Sequence, residues 1–155
     1  MPFSTTTATV STLYDTDFSL WIQHTVEALK QQDFDRVDWD NLVEEVESMG
    51  RSEKRELKSR LLVILEHLLK LMFWESEKPQ NARGWRNTVI EQRNQVDLIL
   101  EDSPSLKPWL AESFVESYAK ARQQTIQKYG LPGDLFPTQP PFSLEDALKT
   151  DWLPE

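Results

Sequence analysis

A chain of 155 residues with 17 Lys and Arg against 26 Asp and Glu, a formal net charge of -9 and no cysteine has one domain's length and is too acidic to grip a phosphate backbone. The missing cysteines exclude disulfides, thiolate metal sites and cysteine nucleophiles, and two histidines are too few for a His-rich catalytic metal centre. Four glycines suit helices better than turn-rich β folds.

Residues 1–12 are Ser/Thr-rich, carry no basic residue and no apolar run of the signal-peptide kind, and read as a disordered lead. Asp15 or Thr16 can cap a first helix, in which Phe18, Trp21, Ile22, Val26 and Leu29 recur at the helical period. A second helix opens at Asp38 and carries Trp39, Leu42, Val43, Val46 and Met49, with Gly50 as its expected left-handed C-terminal cap. A third runs over about 52–74 and is stopped by Pro79. The fourth, about 82–100, sets Trp85, Val89, Val96 and Ile99 on one stripe and ends before Ser103-Pro104. The fifth starts near Ser105, tolerates Pro108 in its first turn and finishes at Tyr129-Gly130. Residues 131–155 hold five prolines and one short helix at 143–149. This tail carries Phe136, Phe142, Leu144, Leu148 and Trp152, too much apolar surface to leave in water. No alternating strand pattern and no internal repeat is present. The reading is an all-α single domain over 13–155, a compact bundle of about five main helices with the Pro-rich tail packed on it.

In LLVILEHLLKLMFW the apolar surface goes all the way round, which places this helix at the centre of the bundle. Glu66, His67 and Lys70 interrupt it, far short of the roughly 20 apolar residues of a membrane span. His67 and Lys70 share a face with Arg60, so they require partners or water. Residues 38–48 hold five acids and no base, and Arg51, Lys54, Arg55, Lys58 and Arg60 follow directly. A turn at Gly50 would lay the acidic helix antiparallel to the basic one, with Glu44 or Glu45 bridging to Arg55 or Lys58. His67 would then find its neighbours on the fourth helix, at Trp85 or Arg93.

The motifs of catalysis are missing. There is no Glu-x-x-His pair of the bundle di-metal type, no Gly-rich phosphate loop and no nucleophile elbow. The ordered set Tyr14-Asp-Thr-Asp17-Phe18 with Trp21, Asn41-Leu-Val-Glu-Glu-Val46 with Met49-Gly50, His67-Leu-Leu-Lys70 and Trp85-x-x-Thr-x-x-x-Gln-Arg93 resembles a bacterial family known as domain of unknown function family twenty-nine. Ser103-Pro-Ser-Leu106, Tyr118-x-x-Ala121, Leu131, Phe136-Pro137, Pro140 and Trp152-x-Pro154 continue the likeness over about 14–154. The resemblance implies an all-helical, bacterial, intracellular protein and supplies no catalytic residue. It picks out Glu44, Glu45, His67, Lys70, Trp85 and Arg93, the polar positions that periodicity also reaches.

Two functions are expected from different classes. One is a non-enzymatic interaction or regulatory protein of the cytoplasm, with a protein partner and no nucleic acid, membrane, metal or cofactor. The other is an enzyme or small-ligand binder with a polar cleft around Glu44, Glu45, His67 and Arg93. Convergence of those side chains on a hole favours the second; pairing among themselves favours the first.

Overall fold

In a computed structural model of the chain, residues 12–155 are described, and the expected disordered lead lies outside them except for Thr12. Every regular element among them is helical: α1 (Phe18–Lys30), a 3-10 turn (Phe34–Arg36), α2 (Trp39–Phe73), α3 (Lys78–Asp102), α4 (Leu106–Glu112), α5 (Phe114–Tyr129) and α6 (Leu144–Leu148). The all-α class read from periodicity is the observed one. None of these helices is long and apolar enough to cross a membrane.

The chain forms two compact units, the first ending at Ser52 and the second spanning Glu53–Glu155. In the first, Asp17 caps α1 by accepting from the Leu20 amide at 3.0 Å. The cap is thus Asp17 instead of the expected Asp15 or Thr16, which lie in a helical turn over 12–16, where the Thr16 hydroxyl donates to the Thr12 carbonyl at 2.8 Å. Trp21, Thr25 and Ala28 make the buried face of α1, and Trp21 meets the Tyr14 ring edge-on at 4.8 Å. The α2 entry is held by Asp38, whose carboxylate accepts from the Asn41 side-chain amide at 2.6 Å.

The expected turn at Gly50 does not form. Residues 39–73 are one continuous helix, so residues 39–49 and 52–60 follow one another instead of packing side by side. Gly50 has no positive φ and nothing lies near the position its Cβ would take. The acid-then-base order that suggests a hairpin is equally the order a single helix prefers, with each Glu N-terminal to its base. Arg51 donates to Glu44 at 2.8 Å and lies 3.7 Å from Glu47, and Arg60 donates to Glu56 at 2.9 Å. The Glu44 bridge to Arg55 or Lys58 is therefore replaced by one to Arg51 along the same helix.

The second unit owns the core. Leu57, Leu61, Ile64, Leu65, Leu68, Leu69 and Leu71 of α2 are fully buried, and Val89 and Val96 of α3, Leu110 of α4 and Tyr118 of α5 close round them. This is the central helix that its all-round apolar sequence requires. Two further boundaries differ from expectation. Pro79 opens α3 near its N-terminus instead of terminating α2, since the first turn of a helix does not need its N–H. The expected fifth helix is broken at Ser113, whose hydroxyl donates to the Leu110 carbonyl at 3.1 Å and competes with the helical ladder. Gly130, at φ 61°, ends α5 in the left-handed conformation that favours glycine.

The tail packs on this bundle as its composition demands. Phe136, Phe142 and Ala147 are buried in the core, with Leu144, Leu148 and Trp152 partly buried against it. Its polar anchoring is to backbone: Tyr118 donates to the Pro137 carbonyl, and Arg122 donates to the Phe136 and Gly133 carbonyls.

Candidate functional site

The polar interruption of the central helix becomes a cluster in the second unit. Lys70 is 3% exposed, and its ammonium donates to Glu66 Oε2 and to the Tyr129 hydroxyl, each at 3.2 Å. It also lies 5.1 Å from the Trp85 ring centre and 4.9 Å from that of Tyr129. Trp74 completes the aromatic wall, stacked on Trp85 at 5.9 Å and tilted against Tyr129 at 5.1 Å. The placement follows from helical spacing. Glu66, Lys70 and Trp74 recur every fourth residue, and Trp74, just past the end of α2, still donates its amide to the Lys70 carbonyl at 3.0 Å, so the three rise one above another on a single face.

Glu66 is the hub. Its Oε1 lies 3.6 Å from Lys128 Nζ and its Oε2 lies 3.6 Å from His67 Nδ1. Beside it, the Lys128 ammonium is pushed up, chiefly by the Glu66 carboxylate. His67 donates through Nδ1 to the Val63 carbonyl at 2.7 Å, which leaves the lone pair of the neutral ring on Nε2. Burial pulls the His67 pKa below its ordinary value, with Lys70 and Lys128 acting the same way and the Val63 hydrogen bond and Glu66 opposing. Chemically, the Lys70 cation is satisfied on every side by a carboxylate, a hydroxyl and two π faces. That describes a structural ion rather than an open reactive amine.

The remaining predicted residues stand elsewhere. Arg93, 2% exposed, donates Nε to the Ala147 carbonyl at 2.8 Å and Nη2 to that of Asp146 at 3.1 Å. It thereby joins the Lys149 amide at the C-terminal end of α6, where the last-turn carbonyls and the helix dipole welcome a cation. Burial lowers the Arg93 pKa from its usual value, against the pull of Asp151 and Asp97. Glu44 and Glu45 belong to the first unit, where Glu44 binds Arg51. The Tyr14 pKa is pushed up by burial first and then by the negative charges of Glu45, Glu44, Asp15 and Asp38. So His67, Lys70 and Trp85 gather in one cluster, while Arg93 and the Glu44-Glu45 pair serve other contacts. The α3 neighbour expected for His67 is in fact Lys70's, at Trp85, and it is Arg60 that reaches across to α3, donating to Gln92 at 3.1 Å.

Sequence reasoning names Glu66 only as an interruption and misses Tyr129, Trp74 and Lys128. The Glu66-Lys70 spacing of four was the available signal for the first. Tyr129 lies 59 residues beyond Lys70, and no local pattern links them. The second unit also has a cleft of about 480 Å³ lined by Asp97 and Leu100 of α3, Lys107 and Ala111 of α4, and Leu144 and Leu148 of α6. None of the predicted site residues lines it. Among the described residues, no group of three or more His, Cys, Asp or Glu is placed to hold a metal ion.

These features define an all-helical protein whose buried polar residues tie the bundle together. The chain belongs to the family described as Domain of unknown function DUF29, whose model matches residues 13–153. No curated protein and no solved structure matches it.

Proposed function

We propose that this chain is a bacterial, cytoplasmic, non-enzymatic interaction protein whose first unit presents an apolar face to a protein partner. One observation carries the reading. Among the described residues of the first unit, eight large apolar side chains are exposed and only Trp21, Ala28 and Val37 are buried. The exposed ones are ordered. Phe18, Ile22 and Val26 recur every fourth residue on α1, and Trp39, Val43, Val46 and Met49 follow the helical period on α2, with Val43 53% and Met49 69% exposed. Stripes of this kind, ordered along a helix and open to solvent, mark surfaces that another molecule covers. The second unit needs no such cover, because its core holds eighteen buried apolar residues.

A photo-cross-linking residue placed in the producing cell at Val43 or Val46, and as controls at Leu98 or Val115 of the second unit, tests this. The expected result is one adduct of defined mass from the α2 positions alone, lost when Met49 is changed to Asp. Equal labelling from all four positions, or none from Val43 and Val46, overturns the reading.

A further inference from the structure

Resting on the interaction reading of the first unit, we propose that the apolar stripe on the N-terminal part of α2 receives a basic amphipathic helix, whose cations run along a rail of carboxylates at the stripe's edge. Trp39, Val43 and Val46 are each followed immediately by an acid, Asp40, Glu44 and Glu47. One residue further is about 100° round a helix, so the three acids line up beside the apolar stripe instead of crossing it. All three are exposed. A partner helix laying its own apolar residues on Trp39, Val43 and Val46 would carry its flanking side chains over this rail.

The chain itself shows which chemistry the rail takes. Arg51 donates Nη2 to Glu44 at 2.8 Å and holds Nη1 3.7 Å from Glu47, with all three side chains more than half exposed. A guanidinium in solvent is thus already drawn to the two oxygens that a partner's cation would take, and an exposed pair of this kind exchanges cheaply. The wider surroundings have the same sign. Residues 1–50 hold ten acids against two bases, and Glu44, Glu45, Asp15 and Asp38 act together on Tyr14. A second copy placed on this face would set acid against acid. A cationic helix is steered to it.

The test uses the full chain and three synthetic helical peptides of about five turns with one shared apolar stripe and flanks of Lys/Arg, Gln or Glu. Binding is read by fluorescence anisotropy at low and high salt. The basic peptide is expected to bind about tenfold more tightly than the Gln peptide at low salt and to lose most of that advantage at high salt. Arg51→Gln, which frees Glu44 and Glu47, is expected to tighten the basic peptide by about threefold, and Glu44→Gln with Glu47→Gln to weaken it by about tenfold. Circular dichroism confirms that these surface variants keep their helix content. Equal binding of the basic and Gln peptides overturns the basic partner but leaves the interaction reading standing. Failure of all three peptides, or a dimer in light scattering that excludes them, overturns it too. The cross-linking result then decides the interaction reading separately.

Discussion

Replacing Lys70 by Met removes the buried ammonium while keeping its length, and the structure sets the size of the effect. The ammonium makes one charge-assisted hydrogen bond to Glu66 and one to Tyr129, each worth about 1.5–3 kcal/mol, and sits against two rings worth about 0.5–2 kcal/mol each. Against these stands the cost of desolvating a cation, several kcal/mol by itself. The net loss for Lys70→Met is therefore about 2–4 kcal/mol, most of it from stranding Glu66, which keeps only the longer contacts to Lys128 and His67, each at 3.6 Å. Glu66→Met strands the ammonium instead and costs about 3–5 kcal/mol. With both residues changed to Met no charge is stranded, and stability returns to within about 1 kcal/mol of the parent. Urea unfolding followed by circular dichroism on the four proteins gives the coupling directly. Losses that add to within about 0.5 kcal/mol would refute the claim that these two side chains act as one unit.

Gly50→Ala should stabilise the protein by about 1 kcal/mol, because Gly50 sits in a helix interior with open space around it; a loss in thermal unfolding would restore the turn. For His67 the folded pKa lies below the ordinary 6.5, so the neutral ring is favoured on folding. Its contribution is present above about pH 6.5 and is lost as the pH falls through the folded value. His67→Gln should flatten the fall in urea midpoint over that interval, and an unchanged slope would exclude His67 as its source. Arg93→Met should loosen the tail by removing both donors to α6, at a cost of about 2–4 kcal/mol. Hydrogen exchange at residues 144–149 should rise well before exchange in α2, and uniform protection would refute the role of Arg93 as the tail's anchor.

Local and periodic properties were legible from residues alone. The run from Leu61 to Trp74 carries apolar residues all the way round, broken at Glu66, His67 and Lys70, so it had to be central, and Leu61, Ile64, Leu65, Leu68 and Leu71 are indeed fully buried. The aromatic content of residues 136–152 likewise forced the tail onto the bundle. Gly130 and Ser143 stand where α5 was expected to finish and α6 to begin, and both cap there.

What only the tertiary structure decided are the points where two arrangements satisfy the same local pattern. Glu44 and Arg51 attract each other equally across a turn or along a helix, and a glycine between them permits both. Continuous backbone hydrogen bonding through residue 50 selects the single long helix. Burial made partners for Lys70 obligatory, yet which groups answered depended on elements 15 and 59 residues away, Trp85 and Tyr129. Arg93 reads as a site residue through the resemblance and as an expected neighbour of His67. Its role as a cap appears only once α6, 53 residues later, brings two last-turn carbonyls to it. Sequence determines how strongly a buried charge must be answered, because the cost of desolvation belongs to the residue. The identity of the answering group belongs to the packing, because distant segments meet only when the whole chain has chosen its turns.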